Sequence, residues 1–114
     1  MAATADTVRE LALALLDVSE APSYGTPGFR VGKKLFARLH QDGESLVVRV
    51  DLYERELLLK ANPKVFFLTD HYVGYPWVLL RLAAVGPALL KKTLQQAYET
   101  ARAEGALRRR SARR

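Results

Sequence analysis

The residues richest in chemical potential lie at positions 65–82, VFFLTDHYVGYPWVLLRL. There a His-Tyr pair, the single Trp and two turn signals sit between apolar runs. His71 is the side chain of this stretch that could move a proton near neutral pH or ligate a metal. Either task needs a partner. The only other histidine, His40, falls in a different predicted hairpin. No His-x-x-x-His spacing and no carboxylate cluster completes a metal site. Asp70 is adjacent, but neighbouring side chains in extended chain diverge, so it orients the imidazole poorly. His71 and Tyr72 are therefore expected to hold the loop, the first by bonding backbone and the second by packing alongside Tyr75 and Trp77. A ligand role for the pair is the alternative.

Other catalytic patterns are missing. Ser19, Ser23, Ser45 and Ser111 lack a nucleophile-elbow context. Gly25, Gly28 and Gly32 build neither a phosphate-binding loop nor a dinucleotide fingerprint. Glu54 and Glu56 fall on a helix surface rather than in a facing carboxylate pair. The chain has no cysteine, which excludes disulfides, thiolate chemistry and all-Cys metal sites. The expectation is a protein that is not an enzyme and carries no cofactor or metal.

A second set of residues suggests binding. Alternate side chains of a strand face opposite sides of the sheet. If the predicted strands are in phase, Arg30, Arg38, Arg49 and Arg81 share one face with Phe36, His40, Val47, Trp77 and Leu79, and no acid stands among them. Guanidinium groups can contact phosphate while rings stack on bases. Lys33 and Lys34 fall in the first hairpin turn, where a protruding wing would meet a nucleic-acid backbone. Two other readings of the face remain: arginines on the polar side of a sheet are ordinary solvated positions, and Phe36 with Trp77 could mark a homodimer or protein contact.

The elements that must position these residues follow from periodicity. Val8, Leu11, Ala12, Leu15 and Leu16 form an apolar helical stripe that fades near Asp17, with a capping box at Thr7 and Glu10 or a start one turn earlier at Thr4. Residues 19–27, with two Pro and Gly25, are expected as a loop or irregular edge. Strands follow at 28–31, 34–40 and 45–50, the last two joined by an Asp-Gly turn. Asp51 caps a short helix whose shared face is Glu54, Leu57, Leu58 and Ala61, and Asn62-Pro63 stops it. Strands four and five are expected at 65–69 and 77–85. Gly86-Pro87 opens a last helix with Leu90, Leu94, Ala97, Tyr98 and Ala101 buried and Gly105 as its C-cap. The fold class is α+β: a two-layer sandwich in the order helix, three strands, helix, two strands, helix, with an antiparallel sheet covered by helices on one face.

The chain has 114 residues, enough for one domain with its own core. The domain is expected at residues 1–105, followed by a basic, disordered tail at 106–114. The net charge of +6 owes most to Arg108, Arg109, Arg110, Arg113 and Arg114; without that tail, 13 basic residues face 12 acidic ones. The tail could bind phosphate non-specifically or simply solubilise the end. Asp6, Arg9 and Glu10 interrupt any signal-peptide core. No apolar run approaches the ~18 residues of a membrane span. A soluble, cytoplasmic protein is expected.

Three segments together resemble a known family: SYGTPGFRVGKKLFARL at 23–39, VRVD at 48–51 and the stretch at 65–82. Their pattern of FRV, K-x-F, HY-x-G and WV-x-x-RL is similar to the MmcQ/YjbR family over residues of about 5 to 100. The resemblance implies a CyaY-like, secretion-chaperone-like α+β fold and a DNA-binding role through a double-wing arrangement. A protein-interaction or homodimeric adaptor role, as in the secretion chaperones, is the second implication.

Overall fold

The computed structural model describes residues 3–112, with side chains through Leu107. Helix α1 (Ala5–Leu13) leads into strand β1 (Val18–Ser23), β2 (Thr26–Val31), β3 (Lys34–Leu39) and β4 (Ser45–Arg49). Helix α2 (Leu52–Ala61) then precedes β5 (Phe66–Phe67), a single 3-10 turn (Asp70–Tyr72), β6 (Trp77–Arg81) and helix α3 (Pro87–Ala112). All pairings are antiparallel in a six-stranded sheet of order β1-β2-β3-β4-β6-β5. The α+β class holds, with one strand more than the periodicity predicts.

That extra strand is β1. Its sequence, VSEAPS, carries Glu20 and Pro22 and buries only Ser23. Such a composition belongs at an edge, where an outward-facing strand can do without one N–H donor. Glu20 also anchors it, accepting from Arg9 of α1 at 2.8 and 3.1 Å. The β1–β2 hairpin turns at Tyr24 and Gly25, with φ of 54° and 82°. Two consecutive positive φ values are the signature of a type I′ turn, whose twist matches the flanking strands.

Helix caps largely follow the residues expected of them. Thr4 caps α1 reciprocally with Thr7, each threonine oxygen accepting from the other's backbone N–H. Asp51 caps α2 by accepting from Tyr53 and Glu54. The expected inner face of α2 is a correction: Leu57 is exposed, while Arg55 is buried and Leu58 and Leu59 are half-buried against the core. Gly105 is a second correction, because α3 runs through it to Ala112 instead of ending there in a disordered tail. Arg113 and Arg114 lie outside the described residues, as do the side chains of Arg108, Arg109 and Arg110.

The main core lies between the sheet and helices α1 and α3. Leu90, Leu94, Ala97, Tyr98 and Ala101 of α3 are all buried there, as the helical stripe predicts, with Val8 and Ala12 of α1. Leu46 and Val48 of β4 and Val78 and Leu80 of β6 face the same layer. Phe36 joins them, which corrects its expected place beside the arginines. The ladder pairs Phe29 with Ala37 but Arg30 with Leu35, so Phe36 is the extra residue of a β-bulge. The bulge turns Phe36 inward, where its ring meets Tyr98 edge-on at 5.7 Å. Leu35 takes the outward position that alternation assigns to Phe36.

Candidate functional site

The other side of the sheet carries no helix, but it is not bare. The connector between β5 and β6, residues 68–76, folds back over it. Tyr72 from the 3-10 turn packs on Val47 and Leu79, with Phe67, Leu68 and Trp77 around them, forming a second small core. Tyr72 itself is buried in this cluster.

Arg55 holds this connector in place. It is only 7% exposed, and its guanidinium donates to the carbonyls of Tyr72 (3.3 Å), Tyr75 (2.7 Å), Trp77 (3.2 Å) and Val73 (3.0 Å). Its Nε has no acceptor among the described residues. Irregular backbone needs donors for its carbonyls, and a planar fork on a neighbouring helix supplies them. Sequence reasoning misses this residue, because an arginine on a short helix looks solvated. The one available signal is that Arg55 shares a helical face with Leu58 and Leu59, an apolar neighbourhood for a charge.

Beside the connector opens a cleft of about 690 Å³. Leu35, Arg38 and His40 of the β3 segment, Gln41, and Tyr24 of the first hairpin line one part of it; Thr69, His71, Tyr72 and Tyr75 of the connector and Trp77 of β6 line the rest. His40 and His71 are therefore not remote, as their separate hairpins suggest, and the ring of Tyr72 lies 6.3 Å from His40 and 4.8 Å from His71. No acid lines the cleft. No group of three or more His, Cys, Asp or Glu side chains suited to a metal occurs among the described residues.

Arg38 is the charged centre of this cleft. It is 5% exposed. Its Nη1 donates to Thr26 Oγ1 (3.2 Å), Gln41 Oε1 (3.2 Å) and the Leu39 carbonyl (3.4 Å), and its Nη2 to the Tyr72 hydroxyl. Every acceptor is neutral, and no ion pair involves Arg38 among the described residues. Taking a cation out of water costs several kcal/mol, and neutral acceptors offset that less fully than a carboxylate does. Gln41 Nε2 in turn donates to the Tyr24 carbonyl at 3.2 Å, fastening the hairpin tip. The ring of Tyr24 stands over the Arg38 guanidinium at 5.4 Å yet is 84% exposed.

The remaining arginines divide by partner. Arg49 is locked to Glu104 of α3 by two bonds of 3.1 and 2.5 Å and lies 5.1 Å from the Trp77 ring centre. Lys34 reaches the same carboxylate at 3.6 Å. Hydrogen bonds from Arg49 outweigh partial burial and, with Lys34, hold the Glu104 carboxyl below the usual glutamate range. An acid does therefore reach this face, supplied by α3 rather than by a strand. Arg81 is exposed, stacks 4.3 Å from the Phe67 ring centre and donates to the carbonyls of Pro63 and Lys64. Arg30 is half-buried on the same face, opposite Leu35. Lys33 is exposed at the β2–β3 turn, at the far end of β2 from Tyr24. At the cleft rim, burial works to raise the Asp42 carboxyl. Bonds from the Glu44 and Ser45 N–H groups and the Ser45 hydroxyl, with His40 alongside, hold it below its ordinary value.

The family model for YjbR matches residues 13–100, most of the chain. The chain belongs to the YjbR family. No curated protein matches it. Among solved structures, a Deinococcus radiodurans protein with a DUF419 domain is similar, at 27% identity and a TM-score of 0.72. That match covers 84% of this chain and 76% of the other. The matched span of this YjbR protein includes every strand and the whole cleft. It stops short of the Arg-rich end, so the basic helix terminus is not part of what defines the family. No described helix is long and apolar enough to cross a membrane.

Proposed function

We propose that this YjbR protein is a non-catalytic, cytoplasmic nucleic-acid-binding module that contacts DNA through the helix-free face of its sheet. One observation carries the reading: three arginines on that face stack against aromatic rings, Arg38 with Tyr24, Arg49 with Trp77 and Arg81 with Phe67. Stacked guanidinium–aromatic surfaces favour base faces and phosphates together. Arg49 is tied to Glu104 and Arg38 is buried beneath the cleft, out of reach of a strand laid along the sheet, so Arg30, Lys33 and Arg81 carry the phosphate contacts in this reading.

A salt-titrated anisotropy assay with single-stranded and duplex oligonucleotides tests it. Double substitution Arg30→Ala with Arg81→Ala is expected to weaken binding and flatten the salt slope by about 2, one per contact removed. A parallel variant with Arg108, Arg109, Arg110, Arg113 and Arg114 changed to Gln isolates the basic end. Binding abolished by that variant and untouched by the double substitution overturns the sheet-face reading.

A second reading has its own support. Tyr24, Val73 and Tyr75 are large, exposed side chains around the cleft, and aromatic residues are enriched at protein interfaces. A homodimer or adaptor contact there predicts a concentration-dependent mass in sedimentation, abolished by Tyr24→Asn with Tyr75→Ser.

A further inference from the structure

We propose that the Arg38 cleft is a binding site for a small ligand that joins a planar ring to a phosphate, with a single nucleotide as its size class. The site goes beyond the strand-binding reading and does not depend on it.

The charge argument comes first. Arg38 is a buried cation with neutral acceptors only. His71 and His40 line the same space; no acid lines it, and the nearest, Asp42, lies 3.3 Å from His40 at the rim. A dianionic phosphate suits such a lining better than a singly charged carboxylate. Two of Arg38's partners can also change sides. The Gln41 amide carries both acceptor and donor, and the Tyr72 hydroxyl can turn from accepting to donating. Either can therefore free an Arg38 N–H to donate to an incoming phosphate oxygen, and the Tyr72 hydroxyl can then donate a hydrogen bond of its own.

The ring argument rests on Tyr24. A tyrosine at φ 54° stands in a region that favours Asn or Gly, and here the strained residue is 84% exposed. Packing does not account for that placement. The ring's one described contact of note is the Arg38 guanidinium, the group that would hold the phosphate. Tyr75 and Trp77 bring two further rings to the cleft from the connector. The volume of about 690 Å³ lies within the roughly 300–1,000 Å³ of small-molecule sites.

The test is a titration of the full-length ¹⁵N-labelled protein with adenosine 5′-monophosphate, adenosine and inorganic phosphate, following amide shifts. An eight-nucleotide single strand and a matched duplex form the second series. Adenosine 5′-monophosphate is expected to shift the amides of Tyr24, Gln41 and His71 saturably, binding about tenfold more tightly than adenosine or phosphate alone. Arg38→Gln is expected to lower that affinity by about tenfold or more. Tyr24→Asn, which fits the turn and keeps the hairpin folded, lowers it by about fivefold and keeps the proposal testable if the Arg38 variant fails to fold. Mononucleotide binding as tight as the strand identifies a free nucleotide as ligand; a strand that outcompetes both mononucleotide and duplex identifies an unpaired nucleotide within a chain. The proposal is overturned if neither probe shifts these amides, or if the shifts survive both substitutions. DNA binding that persists while these amides stay unmoved removes the cleft and leaves the sheet-face reading standing.

Discussion

Two of the described arginines are buried without a carboxylate among the described residues, and they solve the same problem differently. Arg55 points its guanidinium at three backbone carbonyls of one connector and at that of Trp77, the first residue of β6. Arg38 meets one carbonyl, two neutral side chains from other segments and a phenol. The Tyr72 and Tyr75 carbonyls also accept from the N–H groups of Tyr75 and Trp77, but these are fixed turn bonds and the Val73 carbonyl is left to Arg55, so Arg55 and its loop depend on each other. Hydroxyl and amide groups beside a cleft can turn to water or to a ligand. The difference teaches which buried charge is structural and which is poised: acceptors that cannot move mark the first, and acceptors that can move mark the second.

The largest expected effect breaks the Arg55 side. Arg55→Leu orphans the Val73 carbonyl, strips a charged donor from those of Tyr72, Tyr75 and Trp77, and should cost about 3 kcal/mol in urea unfolding, since removing one partner of a buried charged network is far more costly than never building it. Arg55→Lys should recover little, because an ammonium lacks the planar fork that reaches several carbonyls at once. Hydrogen exchange would locate the damage in residues 68–76. A loss spread evenly over the sheet would contradict the assignment.

Arg38→Met is expected to change stability by only about 1 kcal/mol in either direction, because an apolar isostere removes a charge whose burial is poorly offset. The same unfolding measurement applied to both variants sharpens the contrast. Equal losses at Arg38 and Arg55 would mean that Arg38 is structural too.

Much of this arrangement can be read from the sequence, and the parts that cannot have identifiable causes. Alternation along β4 and β6 places Val47, Arg49, Trp77, Leu79 and Arg81 on one face because those strands pair without interruption. Phe36 escapes that logic because a bulge inserts a residue between two regular pairings, and nothing local to LFARL signals it. β1 hides because edge strands tolerate Pro and Glu. That His40 and His71 line one cleft depends on the connector folding back over the sheet, where Arg55 from a third element holds it. Tyr24 was legible in principle: Tyr-Gly between two short runs is a type I′ hairpin sequence with an unusual first residue.

Arg49 supplies a control for the pair, being the arginine of this face with a carboxylate partner. Because the folded Glu104 carboxyl sits below its ordinary value, its contribution is fully present above the ordinary glutamate value. It fades as pH falls through the lower, folded value. Partial exposure of Glu104 limits the effect to about 0.5–1 kcal/mol. Unfolding midpoints measured from pH 6 down to pH 3 should show that loss in the parent protein and lose that component of it in Glu104→Gln. Arg38→Met should leave the acid limb unchanged, since no carboxylate pairs with Arg38. An altered limb would reveal an ionic partner and weaken the claim that its acceptors are all neutral.

The smallest effect is the one that most sharpens the distinction between structural and poised groups. Tyr24 holds a positive φ with an exposed ring, so Tyr24→Asn should relieve about 1 kcal/mol of backbone strain. It forfeits about 0.5 kcal/mol of exposed cation–π attraction to Arg38. The balance is a gain of about 0.5 kcal/mol, measurable as a small rise in the urea midpoint at unchanged slope. A residue whose replacement stabilises the fold is not held there by packing. If the midpoint falls instead, the ring contributes more to covering Arg38 than its exposure suggests, and Tyr24 belongs with Arg55 among the parts that keep the sheet's second face assembled.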